Sequence, residues 1–175
     1  VIAGASLHSG DAPCIPVGEI FLMSRLSAFE GRIPAPLVAL AMAGLMRLAT
    51  PGPATTEPAW EAAATAALVA SALIAGAAFV AFIRARTTID PRRPEQATRL
   101  VTSGIYRFSR NPMYLSLVLL LVADAIRLWS LPALLGPVVF VLYVRRFHIA
   151  LEERRLRAKF GADYAAYARR VRRWL

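Results

Sequence analysis

Residues 62–83 read AAATAALVASALIAGAAFVAFI, 22 positions without a single charge. A helix rising about 1.5 Å per residue covers roughly 33 Å over that length, enough to cross a hydrocarbon core of about 30 Å. The rest of the chain supports a membrane reading over a soluble core. Of its 175 residues, 57% are hydrophobic and 18% charged, yet the net charge is +10. The mean hydropathy is +0.50. Apolar bulk with strong positive charge points to an integral membrane protein and away from a nucleic-acid binder. Lys159 is the only lysine, so arginine carries nearly all the positive charge, a bias that fits a bacterial-looking, GC-rich composition.

On the N-terminal side, Ile33 to Ala49 is a 17-residue apolar stretch with Pro34 and Pro36 at its start, followed by the turn-rich TPGPATTEP. On the C-terminal side comes the polar RARTTIDPRRPEQATRLVTSGIYRFSRN. Pro112 to Ala123 is apolar again, then Asp124 and Arg127 interrupt, then Leu128 to Val144 is apolar. These last two runs read as a helical hairpin tipped by DAIRLWSLP, with Asp124 and Arg127 spaced to pair on one helix face. The expected fold is all-α, a polytopic bundle of about four membrane spans with a C-terminal cytoplasmic helical segment. Residues 1–22 read as a disordered upstream extension and 23–175 as one domain.

Charge sets the expected orientation. Residues 84–111 hold seven arginines against Asp90 and Glu95, a net of +5. Residues 145–175 hold ten basic residues against three acidic ones, a net of +7. The positive-inside rule places both segments, and both termini, on the cytoplasmic side of what reads as a bacterial inner membrane. Cys14 is the only cysteine and His8 and His148 the only histidines, which argues against a disulfide or a metal centre.

The two basic segments carry the candidate chemistry. Pro112 suits the first helical position and Asn111 the N-cap, where its side chain can accept from a free backbone amide. Arg107 and Arg110 read equally well as interface arginines, and Tyr106 and Tyr114 as belt aromatics. In the tail, Ile149, Leu156 and Phe160 form an apolar stripe, and Glu153 lies within roughly 30° of its direction, Glu152 roughly 70° to the side. A carboxylate in an apolar stripe needs a cation. An arginine of the facing loop or a ligand's ammonium would serve. His148, four residues before Glu152, reads as an interfacial histidine that can pair with it. Gly161 reads as a C-cap, with helix resuming beyond it. Tyr164 and Tyr167 share a face, as lipid anchors or as pocket lining.

LVTSGIYRFSRNPMYLS followed, after the hairpin, by EERRLRAKFGADYAAYARRVRRWL resembles the integral-membrane methyltransferases related to isoprenylcysteine carboxyl methyltransferase and bacterial phospholipid N-methyltransferase. The resemblance spans roughly residues 84–174. It implies S-adenosylmethionine as cofactor, held at the cytoplasmic face by residues 84–175 without a Rossmann domain. By matched position, Leu100, Gly104 and Tyr106 would contact the cofactor, with Arg110 in the same loop. Asn111, Pro112 and Tyr114 would form its floor, and Glu152 and Glu153 would suit its ammonium. Tyr164, Tyr167 and Arg170 would bind substrate, with Glu153 and Arg170 acting catalytically. The implied partners are the lipid bilayer and a lipophilic or small methyl acceptor: a phospholipid amine, an isoprenoid carboxylate or a thiol. No metal and no nucleic acid are implied.

Two positions depart from the family pattern, Asn111 standing for histidine and Ser116 for glycine. Asparagine can hydrogen-bond and cap but cannot titrate. Orientation of the cofactor is therefore the role expected there, since methyl transfer from a sulfonium depends mainly on in-line positioning. The alternatives are a reductase-like relative of the same fold, for which this chain is short, and a non-enzymatic membrane protein whose basic cytoplasmic face binds anionic lipid or a partner.

Overall fold

The computed structural model describes residues 33–50, 57–85 and 100–175. The expected extension at 1–22 and most of the basic loop fall outside the described residues. Those described form an all-helical bundle, with α1 at Ala35–Ala49, α2 at Pro58–Ala85 and α3 at Pro112–Leu128. After a short 3-10 turn, α4 covers Leu135–Val144, a π-turn covers Arg145–Ile149 and α5 covers Ala150–Arg170.

Prolines set the starts. Pro36 and Pro112 each sit in the first two positions of their helices, where a missing amide hydrogen costs nothing. Thr50 closes α1, its hydroxyl donating to the Met46 carbonyl at 2.6 Å. At α3 the hairpin turn is made by Trp129 in a left-handed conformation, φ +46°.

Among the described residues two helical stretches are long and apolar enough to cross a membrane: α2, and the 40-residue Leu131–Arg170. The second runs through the π-turn and a break at Gly161. Its charge-free part ends at Val144, and the charged remainder lies beyond it. The helices α1 and α3, with 15 and 17 residues, are shorter than a full span. Leu48 and Leu131 face outward at 80% and 83% exposure, as do Leu40 and Leu73. A soluble protein would bury such side chains, whereas lipid accepts them.

The main core joins α1, α3 and α4 through Ala39, Met46, Leu121 and Phe140. Gly136 lets α4 approach α1, since a Cβ there would collide with Met46. The α2–α3 seam is closed by a buried polar link, Ser71 Oγ donating to the Ser116 carbonyl at 2.7 Å. Ser116 itself is buried and turns its hydroxyl back to the Met113 carbonyl, 2.7 Å away. The seam thus uses the backbone carbonyl of position 116, and the serine hydroxyl that replaces the family's glycine is satisfied within its own helix.

The end of the bundle far from the C-terminal tail is clasped between helices. Asp124 was expected to pair with Arg127 on its own helix, but it takes Arg47 of α1, with Nε at 3.3 Å from Oδ2. Arg127 instead reaches Glu61 of α2 at 3.6 Å. Trp60 and Trp129 meet beside them with ring centroids 4.5 Å apart. The sequence rule considers one helix in isolation, and here neighbouring helices supply closer partners.

Candidate functional site

At the other end, the residues preceding α3 fold onto α5. Gly104 takes φ +62°, a left-handed angle that glycine adopts without a Cβ clash, and opens the 3-10 turn Gly104–Arg107. The turn drives Tyr106 inward. Tyr106 packs with Ala78, Ala81 and Val101, and Phe82 meets its ring edge-on at 5.5 Å. Leu100, next to Val101, is half-buried. The Tyr106 carbonyl accepts the Tyr167 hydroxyl at 2.7 Å, which ties loop to tail helix.

Asn111 stands at the N-cap position of α3, yet its side chain makes no capping bond. Its Nδ2 donates to the Arg173 carbonyl at 2.9 Å. The expected cap is corrected accordingly, because a carbonyl from the tail competes for the amide. Pro112 occupies the first helical turn as expected. Two residues on, the buried Tyr114 offers its hydroxyl to Glu152 Oε2 at 3.4 Å.

The π-turn precedes the acidic pair, with the Ala150 amide donating to the Arg145 carbonyl. Such a bulge adds one residue to a turn and re-aims the helix beyond it. Glu153 is thereby buried, its side chain 10% exposed, and two arginines meet it. Arg110 Nη1 lies 3.3 Å from Oε1. Arg173 forms a fork, Nε at 3.0 Å from Oε1 and Nη2 at 2.7 Å from Oε2. Of the two partners open to Glu153 in the sequence, the arginine clamp is the one present. Arg110 Nη1 also donates to the Tyr164 hydroxyl at 3.3 Å, while its Nε is buried with no hydrogen-bond partner among the described residues.

Burial pushes the Glu152 carboxyl up to about 7, with the neighbouring Glu153 adding to the rise and the Tyr114 hydrogen bond opposing it. His148 is buried between aromatic rings, 6.0 Å from Tyr114 and 5.5 Å from Tyr143. Tyr164 and Tyr167 are buried and pack edge to face at 6.3 Å, so both line the interior and neither serves as a lipid anchor. The α5 helix breaks at Gly161, φ +48° and ψ −118°, as the glycine suggested.

The structure thus gathers Tyr106, Arg110, Asn111, Pro112, Tyr114, Glu152, Glu153, Tyr164 and Tyr167, with Leu100 and Gly104 on the adjoining turn. Arg170 stands apart, exposed on the last turn of α5. Arg173 takes the place at Glu153, and sequence reasoning missed it. Nothing in the run RRVRRWL singles out one arginine of four, and only the extended backbone after Arg170 turns Arg173 inward.

A helical membrane bundle whose buried acid pair faces a tyrosine- and arginine-bearing loop has the makings of a membrane transferase, and comparison with known proteins gives the class. The family model for phospholipid methyltransferases matches residues 60–163, more than half of the chain. An uncharacterised protein of Haemophilus influenzae is 48% identical over 63 residues, which is 36% of this chain and the whole of that protein. No solved structure gives a significant match. The chain belongs to the phospholipid methyltransferase family and is, in general terms, a membrane methyltransferase. The match includes Glu152 and Glu153 and stops just before Tyr164.

Proposed function

We propose that the protein transfers a methyl group from S-adenosylmethionine to a lipophilic or small acceptor, at the membrane face that carries its two basic segments. The supporting observation is the closure of the 100–111 segment onto α5 through Tyr106–Tyr167 and Arg110–Glu153. The donor set fits an amino-acid group bearing both charges. Glu152 and Glu153 suit an ammonium, and the spare Arg110 Nε–H suits the carboxylate beside it. The buried faces of Tyr106, Tyr114, Tyr164 and Tyr167 suit a nucleoside and a sulfonium cation.

When bound, the cofactor supplies an electrophilic methyl on sulfur. The chain's own residues orient and exclude water. The two acids fix the amino-acid end, Asn111 holds the tail over the helix start, and the tyrosines keep the interior dry, which strengthens every charge contact there. Arg170, exposed on the last turn of α5, would hold an acidic or phosphate group of the acceptor. Cytoplasmic placement of both termini and four crossings complete the proposal. On this arrangement a lipophilic acceptor enters from the bilayer and the charged cofactor from water.

The test uses purified protein in lipid nanodiscs with methyl-labelled S-adenosylmethionine and a lipid extract. Glu152→Gln and Arg170→Ala should each cut label transfer at least about tenfold, the scale of losing one charge-assisted contact. Unchanged transfer in both removes the assigned roles. Binding to anionic lipid with none to the cofactor would leave only a membrane-binding protein.

A further inference from the structure

The residues after α5 do not continue the helix. Val171 is extended, φ −119° and ψ 131°, and the chain turns back across the start of α3. The Arg110 amide donates to the Arg172 carbonyl at 3.0 Å, and Asn111 holds the Arg173 carbonyl. Trp174 packs against the main core. The Arg173 fork engages both oxygens of Glu153 while Arg110 adds a third N–H. Three of the roughly four lone-pair sites of this carboxylate are thereby taken, and two guanidinium charges beside it oppose the approach of a ligand's cation.

Release of one arginine would open that seat. Arg110 is held by Tyr164 and by burial, with 13% of its side chain exposed. Arg173 is 37% exposed and rides on a short extended segment beyond the last helical turn. It is the one that can move.

We propose that residues 171–175 form an autoinhibitory latch, in which Arg173 fills the cation seat on Glu153 and swings away before a ligand's ammonium takes it. The identity of that ligand rests on the cofactor reading above, whereas the latch can be read without any ligand. A strap closed about nine-tenths of the time lowers apparent affinity about tenfold, because only the open fraction binds.

The test places one nitroxide on Leu175→Cys in a Cys14→Ser background, using the full chain in nanodiscs. Leu175 is exposed and Cys14 is the only cysteine, so the label reports the strap alone. Arg173→Gln should mobilise the label without ligand and bind S-adenosylhomocysteine about tenfold more tightly than the parent. Saturating S-adenosylhomocysteine should mobilise the label in the parent too. Arg173→Lys keeps the charge but loses the fork, and should fall between the two. A label equally immobile in Arg173→Gln and in the ligand-saturated parent overturns the latch. So does weaker binding by Arg173→Gln, which would make the strap a wall of the site and leave the cofactor reading intact. If Arg173→Gln frees the label while neither protein binds the nucleoside, the cofactor reading fails and the latch stands.

Discussion

Glu152 and Glu153 are neighbours in sequence with opposite circumstances. Glu153 is neutralised by two guanidinium groups, and breaking a buried pair from one side strands the partner charge. Glu153→Gln should therefore lower stability by about 3–5 kcal/mol, read by chemical denaturation in detergent. Glu152 has its carboxyl raised from 4.5 to about 7. A raised carboxyl binds its proton more tightly in the folded protein, so its contribution to stability is complete below about pH 4.5 and lost as pH rises through 7. Affinity for a cationic ligand runs the other way, weakening on acidification through pH 7 as the carboxylate is protonated. Glu152→Gln should flatten both profiles, and calorimetry across pH 5 to 8 on the order of these values would show it. The need of Glu153 for a cation was legible from its place in an apolar stripe. Which cation was not legible, because Arg110 and Arg173 lie 43 and 20 positions away and helical periodicity carries no information across a chain reversal.

At the level of elements, the charge-free run at 62–83 and the two proline-marked starts at Pro36 and Pro112 were enough to place α1, α2 and α3 within a few residues. The hairpin after Ala123 was equally readable, since Asp124 and Arg127 cannot sit in hydrocarbon without partners. The π-turn at Arg145–Ile149 left no trace in composition, because a bulge is a hydrogen-bond choice that packing makes. Gly161 was readable as a break. Its angles lie in a region that other residues enter only under strain, and open space surrounds it. Gly161→Ala should cost about 1–3 kcal/mol through the backbone alone, measured as a shift in unfolding midpoint. Arg47→Ala removes the exposed member of a pair whose Asp124 side chain is 11% exposed, and leaving that carboxylate unpaired should cost about 1–3 kcal/mol.

Across the whole molecule, the two ends of the bundle are built differently. One end is stitched side to side by Arg47–Asp124, Glu61–Arg127 and the Trp60–Trp129 contact. The other is held by a loop and a tail, through hydrogen bonds to backbone carbonyls and the Arg110–Glu153–Arg173 clamp. Sequence charge alone foretold two basic segments meeting at one face, and the described parts of those segments do meet. Leu175→Cys in a Cys14→Ser background should accordingly react with a membrane-impermeant reagent only when the cytoplasmic side is accessible, and labelling of intact cells would reverse the orientation. Because the cross-helix pairs and the tryptophan contact lie at one end, access to the acids at the other can be gained by releasing loop and tail contacts with the helix pairing left in place.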